Sequence, residues 1–578
     1  MRLAPGGNAA HWFVRLAVHS SDSPSRSWRR DLAWLTLAFG LLYLFALGNR
    51  PLANPDEGRY AGIPREMLAR GDWVTPVLAD VPYFEKPPLV YWTVGACRRL
   101  FGPGEFSARL TPALFALGGV LLTYAAGRRL RGRETGIAAA VVLGTSVLYF
   151  VLGRILLLDM AVSVLMSATL FCFILGVREA PGARRRWLFY GLYASAALAT
   201  LTKGLIGFLV TGAVMFLWLL VFNQWKRLRP LHLPTGILLF LAIAAPWHVL
   251  AAQRNESWAQ FYFVHEHWER FTTTAHGRYE PWWFFGPILL MGLFPWTGFL
   301  WAGIREGVAG GWGRRKENAE AWFLITWAAF VFLFFSKSQS KLIPYILPVL
   351  PPLAVLIGAA LVRGIAEGAK LVAGMRVFGA AAGLLGAAVV FVVARPGVIK
   401  DAEQLAELRP YGLALAAVLL LGGVAAPWAT RVRGAQSGLT ILTATAAGFF
   451  ALVTLAAPAI QKPGTKELAR VARERVQAAD RVYHFHAFFH DFVYYTERPV
   501  GLVDYIDELQ VQFLTPAERA RRFIAGAELA RQWGGSGRVW LVLRRRDRAA
   551  LDTLFANPRR EYRLIAESRD HLLLSNQP

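Results

Sequence analysis

Residues 54–88 hold the densest set of groups in this chain that could do chemistry: N-P-D-E-G-R-Y-A-G-I-P-R-E-M, then G-D-W-V-T-P, then Y-F-E-K-P-P. Asp56, Glu57, Arg59, Arg65, Glu66, Asp72, Asp80, Glu85 and Lys86 are woven among Tyr60, Trp73, Tyr83, Phe84, Tyr91 and Trp92, between long apolar segments. A linker needs none of these groups, and a buried core tolerates so many ionisable side chains only when they are paired. Acids and cations interleaved with rings suit a charged, ring-bearing substrate beside lipid; the plainer alternative is a solvated loop at the membrane surface. Pro55 stops a preceding helix from continuing and leaves Asp56 and Glu57 at its end. One acid there could simply cap the next helix. Two acids followed by Arg59 and Tyr60 exceed that role.

Other ionisable residues stand at the ends of apolar runs. Asp159, in G-R-I-L-L-L-D-M-A, is costly at such a place unless paired or functional, and Arg154 is the simplest partner. Glu85 and Lys86 sit immediately before two prolines, Lys203 lies in T-L-T-K-G, and S-K-S-Q-S-K-L-I-P-Y supplies Lys337, Lys341 and Tyr345. V-H-E-H-W-E-R-F supplies His265, Glu266, His267, Glu269 and Arg270. It is not H-E-x-x-H, so a zincin site is unsupported. A divalent ion shared by one of these histidines and a distant carboxylate such as Glu85 is feasible; polar contacts beside an interfacial tryptophan are the alternative. There is no Walker motif, dinucleotide fingerprint or Ser-His-Asp arrangement, and no nucleotide cofactor is expected.

The elements that must position these groups are membrane spans. The chain has 578 residues, 55% hydrophobic and 17% charged, with mean hydropathy +0.37. Apolar runs cover approximately 32–48, 107–127, 134–153, 156–177, 187–201, 204–222, 235–252, 283–303, 320–336, 342–363, 373–394, 409–428 and 436–457. The fold class this predicts is mainly α, a polytopic helical protein of about thirteen spans, by the ~30 Å criterion. The net charge of +25 does not point to nucleic acid, because basic residues cluster in alternate short gaps, such as Arg128-Arg129-Arg131-Arg133 and Arg184-Arg185-Arg186. The positive-inside rule makes those gaps cytoplasmic. Residues 1–31 are then a cytoplasmic N-terminus, and the first span is a retained anchor. Residues 32–458 form the transmembrane domain. Its outer loops, 49–106 and 253–282, carry the chemistry. Segments 57–70 and 256–271 read as helices lying along the interface. In 459–578 apolar content falls. Strand-like runs at 481–486, 539–543, 562–566 and 571–574 alternate with helical patterns at 465–477 and 516–533, giving a small α/β domain outside the membrane. Cys97 and Cys172 do not form a disulfide framework.

P-D-E-x-R-Y-A-x-I-x-R-E-M, G-D-W, Y-F-E-K-P, M/L-T-K-G, E-H-x-x-R-F and a later x-P-W together resemble the aminoarabinose transferases of the ArnT type. These are polyprenyl-phosphate-dependent glycosyltransferases with a GT-C fold, related to protein O-mannosyltransferases. The resemblance is dense over 49–352. It departs from the pattern at Gly58, Gly62 and the additional His265. It implies a multi-pass enzyme of the bacterial inner membrane with its active site and C-terminal domain in the periplasm. The enzyme would move 4-amino-4-deoxy-L-arabinose from undecaprenyl phosphate to a phosphate of lipid A, with inversion, and so confer polymyxin and cationic-peptide resistance. Asp56 and Asp159 would be catalytic. Glu57, Arg59, Tyr60, Tyr83, Lys86, Lys203, Arg270, Lys341 and Tyr345 would bind substrate and phosphate. Glu85 and His265 would hold a divalent metal, zinc or magnesium. Two alternatives stand beside this: a related transferase using a hexose, a uronic acid or another acceptor, and a lipid-linked sugar transporter. A transporter needs ionisable residues deep along a path, often with repeat symmetry, whereas here they gather at one lip.

Overall fold

The computed structural model describes residues 24–256, 258–264, 279–367, 371–395, 397–399, 401–461, 464–506 and 509–578. In hydrocarbon every backbone N–H and C=O must be satisfied within the segment, so the apolar runs become helices. The first helices are α1 (Pro24–Leu44), α2 (Asp56–Arg70), α3 (Leu89–Phe101), α4 (Glu105–Arg131), α5 (Arg133–Gly144) and α6 (Val147–Leu152). A two-stranded hairpin, β1 (Val77–Leu78) and β2 (Val81–Pro82), separates α2 from α3. Next come α7 (Leu158–Arg178), α8 (Ala183–Lys203), α9 (Ile206–Phe222), α10 (Leu233–Arg254), α11 (Phe285–Gly292) and α12 (Leu300–Gly307). The membrane domain closes with α13 (Ala319–Lys337), α14 (Leu350–Glu367), α15 (Leu371–Ala394), α16 (Ala402–Val432) and α17 (Ala435–Ile460).

Every expected span falls on helix, but not every one is a single straight helix. Residues 134–153 divide into α5 and α6. At the break the Thr145 and Ser146 hydroxyls donate to the Val141 and Val142 carbonyls, and Trp296 Nε1 donates to Thr145 Oγ1 at 2.9 Å. Residues 283–303 become Phe285–Gly292 and Thr297–Gly307, bent by 107°. Pro295, which has no N–H to continue a helix, lies in that break. Among the described residues, eight helices are long and apolar enough to cross a membrane, or nine if the bent pair is one span. The others fall short individually. For example, α9 has 17 residues, α5 has 12, and α8 opens with three arginines.

The C-terminal unit is a six-stranded sheet with helices. After α18 (Lys466–Arg475) come β3 (Arg481–Phe485), α19 (His490–Thr496), β4 (Gly501–Val503), α20 (Pro516–Arg522), β5 (Phe523–Ile524) and α21 (Gly526–Trp533). β6 (Val539–Arg544), α22 (Arg548–Leu554), β7 (Arg563–Glu567) and β8 (His571–Ser575) follow. The strand order is β5-β4-β3-β6-β8-β7. The first four are parallel and the last two antiparallel. β6 is apolar from Val539 to Leu543 because it is covered on both faces, as central parallel strands are. The helical pattern expected over 516–533 is interrupted by β5, which pairs alongside β4 as the edge strand.

Candidate active site

The site is built around α2, and α2 is anchored by Glu57. Its carboxylate is wholly buried, with 0% exposure. Arg109 of α4 grips it bidentately: Nε donates to Oε1 and Nη2 to Oε2, each at 2.8 Å. Arg50 Nη1 adds a second cation at 2.8 Å, and the amides of Ala53 and Leu156 donate at 2.9 and 3.1 Å. Burial alone would raise the Glu57 pKa, but the guanidinium of Arg109, then that of Arg50, brings it down to about 2. The sequence led to the expectation that Glu57 binds substrate; in the structure its carboxylate is taken up by protein donors. Every lone pair it offers is engaged, and its work is to tie α2 to α4 and to the approach to α7.

Asp56, the adjacent residue, points the other way. Its side chain is 52% exposed, and Arg59 Nη2 stands 3.9 Å from Oδ1, one helical turn on. Arg59 itself is buried, donates to the Tyr83 hydroxyl at 3.4 Å, and lies against the Tyr60 ring. Tyr60 stacks on Tyr91 with 6.4 Å between ring centres. Burial drives the Tyr60 phenol far above its usual range. Arg59 opposes that shift, while the negative charges of Asp56, Glu85 and Asp159 add to it. Three carboxylates from three different segments thus act on one buried ring.

Asp159 opens α7, and Lys203 closes α8. Lys203 Nζ meets Asp159 Oδ1 at 2.5 Å, with both side chains about 15% exposed (16% and 14%). The simplest expectation paired Asp159 with Arg154, and the structure overturns it. Arg154 instead donates to the carbonyls of Leu42, Tyr43 and Phe45, satisfying the end of α1 where no intrahelical donor remains. The Lys203 ammonium also lies 4.5 Å from the centre of the Tyr345 ring. The structure thus joins Asp159, Lys203 and Tyr345.

Glu85 and Lys86 follow the hairpin. Lys86 Nζ donates to the Glu85 carbonyl at 2.8 Å and stands 3.9 Å from its carboxylate. The hairpin turn places Ala79 and Asp80 at φ 51° and 59°, where residues with side chains are strained. Glu66 of α2 holds it there, accepting from the amides of Ala79 at 2.8 Å and Asp80 at 2.9 Å. Lys341 lies apart from these contacts. It is buried, donates to the Glu280 carbonyl at 2.6 Å and faces the Tyr279 ring, and burial lowers its pKa. His265 and Arg270 lie outside the described residues. Among the described residues no three potential ligands gather as a metal site, so the expected Glu85–His265 pair is represented here by Glu85 alone.

Three supporting residues were not foreseeable as such from the sequence. Arg109 carried a signal, since an arginine inside an apolar run requires a partner. Glu66 was visible only as one acid among many. Gln510, in the C-terminal domain, accepts from the Phe84 amide at 2.8 Å and so fixes the residue before Glu85. Nothing in the sequence links positions 426 apart.

Residues 32–262 match the family described as dolichyl-phosphate-mannose-protein mannosyltransferase. An undecaprenyl phosphate-alpha-4-amino-4-deoxy-L-arabinose arabinosyl transferase of Pectobacterium carotovorum is 36% identical over 340 residues, 58% of this chain and 60% of that protein. A relative of the same description from Pseudomonas fluorescens is 34% identical over 445 residues, 75% of this chain and 76% of that protein. The chain belongs to this family of aminoarabinose transferases. The match spans only about three fifths of the Pectobacterium relative's length. A crystal structure of ArnT from Cupriavidus metallidurans bound to undecaprenyl phosphate is similar with a TM-score of 0.82 at 28% identity, covering 94% of this chain and 97% of that one. The apo form of that protein gives 0.80 at 28% identity, with 96% and 98% covered. This aminoarabinose-transferase family member is therefore a multi-pass membrane protein of GT-C fold. Its family match takes in α2, the hairpin, Asp159 and Lys203, leaving Lys341 and Tyr345 to later spans.

Proposed function

We propose that this protein is an inverting glycosyltransferase that moves 4-amino-4-deoxy-L-arabinose from undecaprenyl phosphate to a phosphate of lipid A. The reaction takes place at the periplasmic face of the bacterial inner membrane, and the C-terminal domain lies on that side. The observation that carries the reading is Asp56: a half-exposed carboxylate at the head of a helix otherwise locked in place, with Arg59 beside it. Family membership supplies the substrate class.

An ionised oxygen of the acceptor phosphate attacks the anomeric carbon as the bond to the lipid-phosphate oxygen breaks. A phosphate monoester is already largely ionised near neutral pH, so no strong general base is needed. Asp56 binds the cationic amino sugar and stabilises positive charge developing at the anomeric carbon. Asp159 orients Lys203 over Tyr345. Arg59, Lys86 and Lys341, with Arg270, hold the two phosphates and stabilise the departing one. A zinc or magnesium ion at Glu85 and His265 would supply further positive charge. Activity that survives exhaustive chelation would remove the ion from this scheme.

The test is a mass spectrum of lipid A from cells lacking and then regaining the protein. Restoration of a 4-amino-pentose increment is expected, together with polymyxin resistance. An unchanged spectrum from folded, membrane-inserted protein would reassign the sugar or the acceptor. Asp56→Asn should insert and fold normally yet lose about 10²-fold or more in transfer, as when a charge-stabilising group is deleted. Full activity in that variant would remove Asp56 from the mechanism.

A further inference from the structure

The C-terminal sheet carries a second cleft that the proposed transfer does not use. β3 leads through α19 to β4 on one side, whereas β6 lies against the opposite side of β3. In open α/β sheets the crevice beyond the carboxyl ends of two such strands is where ligands are held. Here it is a cavity of about 690 Å³, walled on the sheet side by the residues after β6 and before β8, and on the membrane-domain side by Asn54 and Gln461.

The cleft has two poles of opposite charge. At one, Asp491 is completely buried; its Oδ2 accepts from the Thr465 amide at 2.6 Å, and its Oδ1 has no hydrogen-bond partner among the described residues. Burial pushes this carboxyl up from the usual range, which marks an acid without a counter-charge. At the other pole, Arg544 makes no side-chain hydrogen bond or ion pair among the described residues, and Arg546 only approaches Asp547, at 3.8 Å; with Asp570 the one acid lining this end, three arginines leave it net positive. Arg545 is already engaged by Glu567 at 2.9 Å. His571 Nδ1 is buried without a partner among the described residues. An anion alone would face the buried carboxylate, and a cation alone would face the arginines. A group carrying both charges satisfies both poles.

The position of the cleft selects the source of that group. Gln461 is the first residue after α17, a candidate membrane span, so the cleft stands at the level where lipid headgroups lie. We propose that this cleft binds a zwitterionic phospholipid headgroup of the phosphoethanolamine type, its ammonium donating to Asp491 and its phosphate resting on Arg544 and Arg546. The bound lipid then buttresses the active-site helix: Gln461 Oε1 accepts from Arg50 Nη1 at 2.6 Å, and the same guanidinium holds Glu57.

The test uses the full-length protein, stripped of lipid in detergent and offered phosphatidylethanolamine, phosphatidylcholine or phosphatidylglycerol, with retention read by native mass spectrometry. Phosphatidylethanolamine should be held about tenfold better than phosphatidylcholine, whose quaternary ammonium has no N–H to donate, a charge-assisted bond being at stake. Asp491→Asn should abolish that preference, and Arg544→Gln should weaken retention of both phosphatidylethanolamine and phosphatidylglycerol. Free O-phosphoethanolamine should compete. Equal retention of the two zwitterions would overturn the proposal. So would a preference for phosphatidylglycerol that Asp491→Asn leaves unchanged, which would mark an anion site only. Should Asp491→Asn fail to elute and melt like the parent protein, the lipid comparison in the parent and in Arg544→Gln decides the matter.

Discussion

Asp56 and Glu57 are neighbours of the same chemical kind with opposite assignments, and the difference is geometric. Asp56 is half open, while Glu57 receives two guanidinium groups and two amides. Glu57→Gln would leave Arg109 buried against a neutral group. Removing one partner of a buried ion pair costs about 3–5 kcal/mol, so this variant should melt markedly lower, or accumulate poorly, in a detergent thermal-shift measurement. Asp56→Asn should melt like the parent protein. Equal melting of all three would make Glu57 a bystander. The sequence could place both acids at the lip, because Pro55 ends the preceding helix and two adjacent carboxylates exceed what capping the next one requires. It could not separate their roles, because the separation depends on Arg109, 52 positions away. Asp159 carries the same lesson: proximity in sequence favoured Arg154, whereas the fold brings Lys203 across from the end of α8.

Among the elements, the long apolar runs were legible because hydrocarbon allows so few backbone solutions. The central strands of the tail were legible because β-rich apolar runs of five or six residues are distinctive. The short pieces were not. β4 and β5, of three and two residues, exist only because β3 gives β4 an edge to pair with and β4 in turn gives one to β5. The contact between α2 and α19 also lay beyond sequence reasoning, although one residue in α2 is accounted for by it. A Cβ on Gly58 would come within 2.6 Å of the Asp491 backbone nitrogen, closer than any real contact. Gly58 is thus a docking position, which gives a physical reason for one of the departures in the P-D-E motif. Gly58→Ala should force α19 away at a cost of about 1–3 kcal/mol, the usual range for overpacking. Amide hydrogen exchange should speed up in α19 and in the turn that holds Asn54, whose side-chain oxygen accepts from the His490 amide. Unchanged exchange there would show that the helices part without consequence.

On the scale of the whole molecule, the membrane helices and the C-terminal domain meet around the hairpin and α3 through ion pairs and hydrogen bonds. Arg522 of α20 pairs with Asp80 of the hairpin at 2.5 Å, Arg98 of α3 with Glu497 at 2.7 Å, and Gln510 holds the Phe84 amide. Asp80, Glu105 (which pairs with Lys466 of α18) and, beside this network, Glu57 have lowered pKa values, so stability is linked to pH. For Glu57, with an ordinary value of 4.5 and a folded value of about 2, the stabilisation is complete above 4.5 and lost as pH falls through about 2. For Asp80, burial alone would raise the value, but Arg522 and then Arg70 hold it below 3.8, and the sign of the effect is the same. The midpoint of thermal unfolding should therefore respond little to these groups from about pH 7 to 5 and fall steeply below about 4.5. Glu57→Gln should melt lower at neutral pH and show a shallower acid limb, because its side chain no longer takes up a proton on unfolding. Arg522→Gln should weaken docking of the C-terminal domain and flatten the acid limb less, since Asp80 keeps Arg70 as a partner. An acid limb of the same slope in all three proteins would mean that neither Glu57 nor Asp80 sets the pH dependence of stability.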